Sequence, residues 1–150
     1  MENINFVLPE IFISLGIMFL LILGVFKKNS SSLIYSLSIV TLLVALGLII
    51  NFPSDQEIYL FNTSYKIDQL STFMKVVTII SGIFVLISSY KYVRLENILK
   101  IEYSILILSS ILGMLVMISS YDLIVFYIGL ELQSLALYVL AAFNRDKTKS

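Results

Sequence analysis

The stretch DLIVFYIGLELQSLALYVLAAF, residues 122–143, carries one charge after its opening aspartate, and that charge is Glu131. About twenty apolar residues form a helix long enough to cross a hydrocarbon core of roughly 30 Å. Read that way, the stretch is a membrane span and decides the fold class. It also poses a question. Glutamate is among the residues least often buried without a partner, so its place in an apolar run has to be explained.

The rest of the chain follows the same pattern. Hydrophobic residues make up 59% and charged residues 13%, against about 45–50% and 25% in soluble domains. Mean hydropathy is +0.98. Four further apolar runs, at 8–26, 33–51, 70–90 and 102–120, are each long enough to span. The sequence thus predicts an all-α integral membrane protein, with five transmembrane helices in one membrane domain over residues 1–150. The last two spans are separated by little more than Tyr121 and Asp122, which makes them antiparallel neighbours. The longest connection, residues 51–69, contains Pro53 and suits a small extramembrane turn or hairpin. The N-terminus has no basic region and no small-residue cleavage site, so the first span is read as retained and not as a signal peptide.

Charge narrows the function classes. Ten basic and ten acidic residues balance, with no cysteine and no histidine. Nothing points to nucleic acid. Disulfides, thiolate iron–sulfur ligation, histidine haem ligation and most zinc sites are removed, so any redox chemistry would occur on another chain. Lys27, Lys28, Lys91, Arg94, Lys100, Arg145, Lys147 and Lys149 all fall on one side of the expected membrane, and Lys66 on the other. By the positive-inside rule the N-terminus faces outward and the C-terminal tail faces the cytoplasm or matrix.

Few residues can carry chemistry. Glu131 lies nine residues past Asp122, about 14 Å into the helix and close to the bilayer midplane. A charge there costs on the order of 3 kcal/mol on the insertion scale, and such residues mark ion or proton routes. Tyr127, Ser134 and Tyr138 share its helical face, so Tyr127 and Ser134 are candidate proton-path neighbours. The competing reading is a static interhelical pair. Lys75, near the outward end of the third span, either snorkels to the interface or joins a buried charge network. Glu10, after Pro9 in the first turn of the first span, reads as a helix-terminus acid, as do Asp68 and Asp122. Ser109 with Gly113, and Gly129, read as close-packing positions between helices. The tyrosines at 90, 92, 103 and 121 fall near expected interfaces, as an aromatic belt would.

The segment EYSILILSSILGMLVMISSYDLIVFYIGLELQSLALYVLAAFNRD closely resembles the antiporter-like subunit 2 (bacterial chain N) of proton-pumping NADH:ubiquinone oxidoreductase, respiratory complex I. LPEIFI in the first span and DQLSTFMK leading into the third resemble it too, in the same order. GLELQSLALYVLAAF is the most specific of these matches. The resemblance implies that Glu131 takes part in proton translocation and that Lys75 belongs to a charge network. It implies fourteen helices in the whole subunit, three leading ones and two inverted repeats of five, of which this chain would supply the first five. NADH, flavin, iron–sulfur clusters and quinone would lie on partner subunits, with no cofactor on this chain. Expected partners are other membrane-arm subunits, including a chain carrying the remaining helices and a lysine partner for Glu131, in a split or partial subunit. The expected compartment is the mitochondrial inner membrane, with the bacterial plasma membrane as alternative. Two other readings stay open: a cation/proton antiporter or membrane-hydrogenase subunit, and a structural or assembly piece without proton transfer.

Overall fold

A computed structural model describes residues 7–26, 31–51, 58–60, 65–95 and 100–149, with side chains for 7–26, 33–51, 65–90 and 103–142. The expectations about the N-terminal six residues, Lys27, Lys28 and Pro53 lie outside the described residues, and those about Tyr92 and the basic residues from Lys91 to Lys149 lie outside the described side chains.

Among the described residues five helices form: α1 (Leu8–Phe26), α2 (Ser31–Asn51), α3 (Gln69–Leu95), α4 (Lys100–Ser119) and α5 (Leu123–Lys149). Between α2 and α3 two short strands, β1 (Ile58–Leu60) and β2 (Tyr65–Ile67), pair antiparallel with Leu60 opposite Tyr65. Four helices are long and apolar enough to cross a membrane, and α4 contributes a shorter apolar helix, Tyr103–Ser119. Helix α3 extends five residues past the expected end at Tyr90, and α5 extends six past Phe143.

The sequence also shows why the helices start where they do. Asp68 caps α3: its Oδ1 accepts the Ser71 N–H at 2.8 Å, while Ser71 Oγ accepts the Asp68 N–H at 2.9 Å, a reciprocal capping arrangement. Asp122 performs the same task more loosely at α5, with Ile124 N–H at 3.4 Å. Inside the helices, Ser38, Thr41, Thr78 and Ser81 donate their hydroxyls to carbonyls four residues earlier, all at 2.8 Å. In an apolar medium this satisfies each hydroxyl within its own helix.

Helices α1 to α4 enclose a shared core of Ile13, Leu20, Ile34, Leu42, Ile79, Leu86, Leu108 and Leu115. Helix α4 sits centrally, touching all four other helices. Helix α5 packs on the outside, almost wholly against α4. There the backbones meet directly: a Cβ on Gly113 would lie 2.8 Å from Gly129 O and from Gln133 N, and one on Gly129 would lie 2.8 Å from Met117 Cγ. The hairpin lies across the end where α1, α3 and α5 begin, with Val7, Tyr65 and Ile67 in a small cluster against Val125, and Tyr65 bridging to Ser120.

Candidate functional site

Lys75 is 3% exposed and lies six residues into α3. Its Nζ stands 2.5 Å from Oε1 of Glu10, in the first turn of α1. Glu10 is itself only 5% exposed. Both helices start at the same end of the bundle, so two charges that are far apart in sequence reach the same depth. A lone buried charge is very costly, and an opposite charge within hydrogen-bond reach offsets much of that cost.

A third group completes the cluster. The Tyr65 hydroxyl, from β2, donates to the same Glu10 Oε1 at 2.9 Å, and the Lys75 ammonium sits 5.2 Å from the centre of the Tyr65 ring, within cation–π range. Burial, and then the negative charge of Glu10, push the Tyr65 hydroxyl far above its ordinary pKa, so it stays a donor. Ser119, ending α4, lies beside that hydroxyl without a well-formed hydrogen bond of its own. The site therefore joins α1, β2, α3 and α4.

This corrects the expectation that Glu10 is a helix-terminus acid and nothing more. Among the described residues its carboxylate caps no backbone N–H; instead the buried ammonium of Lys75 and the Tyr65 hydroxyl meet it at Oε1. The helix dipole still favours an acid at this position. The structure also places Lys75 in a network, with its side chain buried and its ammonium turned to Glu10. Tyr65 went unnoticed in the sequence. A signal for it existed, since a buried Lys75 demands a counter-charge and a donor at its own depth.

Glu131 has a different setting. On α5, Gly129 and Ala136 are buried against α4, whereas Tyr127 and Tyr138 are 60% and 69% exposed. Glu131 shares the side of the helix that carries these tyrosines, turned away from α4. It is partly exposed, as is Ser134. Among the described residues Glu131 has no ion pair or hydrogen bond. The structure thus brings Lys75 to Glu10 and does not bring it to Glu131.

No protein-family profile matches the chain. Curated relatives do. Over 150 residues, all of this chain, it is 64% identical to NADH-quinone oxidoreductase subunit N of Pelagibacter ubique, covering 32% of that protein. The subunit N proteins of Bartonella bacilliformis and Paramagnetospirillum magneticum are 44% and 39% identical over 96% of this chain, which covers 29% and 30% of them. The chain spans about a third of the length of these relatives. In sequence, then, the chain is similar to NADH-quinone oxidoreductase subunit N over about a third of that protein's length.

Proposed function

We propose that the chain works as part of subunit N in the membrane arm of a proton-translocating NADH-quinone oxidoreductase, with Glu131 as a proton carrier. The observation that carries this reading is the placement of Glu131. It lies eight residues into α5, about 12 Å from the helix start, on a side of the helix that no other described element covers. In lipid a carboxylate so placed is costly. It fits a helix whose outer side packs against further protein, where Tyr127 and Ser134 order the hydrogen bonds around it.

The enzyme chemistry belongs to the assembly. NADH, flavin, iron–sulfur clusters and quinone would be held by partner subunits; for the iron–sulfur clusters, the cysteine ligands are missing from this composition. Remaining helices of the subunit, and other membrane-arm subunits, are the partners. The bacterial relatives and apolar helices support the bacterial plasma membrane; by the positive-inside rule the end bearing Glu10 and the hairpin would face outward. Lys75 would act as a charge in the network beside Glu10.

The test is Glu131→Gln in the assembled complex. Loss of NADH-driven proton movement with normal assembly is the expected result. Unchanged proton movement in a normally assembled complex rules out Glu131 as the carrier. Co-purification with NADH-oxidising, flavin-bearing subunits separates this reading from that of an antiporter or a hydrogenase subunit.

A further inference from the structure

The Glu10 cluster contains more than its ion pair accounts for. Glu10 uses one oxygen for both Lys75 and Tyr65. Among the described residues its other oxygen, Oε2, is buried without a hydrogen-bond partner, and so is the Ser119 hydroxyl. The residues are 5% and 1% exposed. The buried or half-buried hydroxyls of Ser38 and Thr41 are satisfied within their own helix and that of Tyr65 donates to Glu10, so these two oxygens stand apart. Leaving a buried polar atom unpaired costs the full desolvation of that group. Both atoms belong to residues that flank one group, the Tyr65 hydroxyl. A buried water needs two to four polar partners, and Glu10 Oε2, Ser119 Oγ and the Tyr65 oxygen supply that number.

We propose that this cluster is a hydrated proton-exchange site at the outward end of the bundle, distinct from Glu131, in which Glu10 Oε2 and Ser119 Oγ hold a water between them. The inference rests on the proposed reading of the chain as part of a proton-translocating complex. Its step is a simple relay. A protonated water gives its proton to Glu10 Oε2, leaving a neutral water and a carboxylic acid. The acid returns the proton to the same water as that water passes another to the outward side. No bond other than O–H is made or broken, and the Glu10–Lys75 pair moves between net charge zero and plus one. Lys75 and Tyr65 hold Oε1 throughout, so Oε2 is the oxygen left to exchange. Tyr65, on the hairpin, ties the site to the outward-facing segment.

A buried ion pair that serves only stability should be replaceable. Exchanging both partners for neutral groups of similar volume is often harmless, whereas removing one partner is not. The experiment therefore uses the double variant Glu10→Gln/Lys75→Met in the intact complex, measuring NADH oxidation and proton movement in vesicles. Expected is normal assembly with proton movement slowed about tenfold or more. Normal proton movement in the assembled double variant overturns the proposal. Should that variant fail to assemble, Ser119→Ala decides. It removes only the second anchor of the water, so slowed proton movement in an assembled complex supports the site and unchanged movement overturns it. Glu131→Gln, run in parallel, keeps the two ideas apart: a loss there beside an unaffected Glu10 pair sinks this inference alone, and no loss at Glu131 sinks the underlying reading.

Discussion

The two acids inside this bundle receive opposite treatment. Glu10 is buried among α1, α3, α4 and the hairpin, and meets an ammonium and a hydroxyl on one oxygen. Glu131 stands on the outer side of α5 and meets no charged partner among the described residues. The difference follows from position in the fold. Glu10 faces the inside of a closed ring of helices, where a counter-charge could be supplied by the chain itself. Glu131 belongs to α5, which among the described elements packs almost wholly against α4, so its chemistry is directed to whatever lies beyond. A self-satisfied charge site and an open one coexist within about 12 Å of depth.

The sharpest way to break this contrast is to remove one half of the satisfied pair. Lys75→Met leaves the Glu10 carboxylate buried without its counter-charge, and breaking such a pair costs about 3–5 kcal/mol. The midpoint of thermal unfolding in detergent should fall markedly, with less protein accumulating in the membrane. The double variant with Glu10→Gln should recover most of that loss. A single Lys75→Met with wild-type stability would mean that Glu10 and Lys75 are not paired in the folded protein.

The second prediction concerns what holds α5 in place. Gly113 and Gly129 bring two backbones together, and any Cβ at Gly113 meets Gly129 O at 2.8 Å. Gly113→Leu must push α5 away from α4, at about 1–3 kcal/mol. Cross-linking between cysteines introduced at Met117 and Gln133 should drop in the variant. Retained cross-linking would show that the close approach is dispensable.

Much of this was legible in the chain. The apolar runs located the helices, the short link at Tyr121 and Asp122 made α4 and α5 neighbours, and Gly113 and Gly129 pointed to their contact. The Asp68 cap was legible too, because capping is local. Glu10 was misread for the complementary reason. An acid after a proline in a first turn is sufficiently explained by local rules, so nothing in its neighbourhood signals that its partner lies 65 residues away at Lys75. The pairing depends on α1 and α3 entering the bundle from the same end, a tertiary fact. Tyr65 was hidden for the same reason: the connection read as a turn or hairpin, but the contact of Tyr65 with Glu10 is tertiary.

A smaller effect sharpens the satisfied side. Asp68 is held below the usual carboxylate range, first by the Ser71 backbone N–H, with the Ser71 hydroxyl and Lys66 assisting. A carboxyl lowered in the folded state stabilises at pH above its unfolded value and loses that contribution as pH falls through the folded one. Asp68→Ala should cost about 1 kcal/mol near neutral pH, and the gap from wild type should close as pH drops below the carboxylate range. A gap independent of pH would mean that the carboxylate charge is not what caps α3.

The smallest expected change in stability tests the open side. Glu131 lacks a partner among the described residues and is partly exposed, so replacing it with Gln removes no ion pair and creates no cavity. Substitutions away from paired, packed or capped positions usually fall within about 0.5 kcal/mol. Glu131→Gln should therefore leave thermal unfolding of this chain nearly unchanged, in contrast to Lys75→Met. The comparison becomes more informative in the whole assembly. If α5 there packs against a helix that carries a cation, the same substitution should destabilise that contact and slow proton movement, while the isolated effect stays small. A large loss of stability in this chain alone would place a partner for Glu131 within its own five helices and erase the distinction between the two acids.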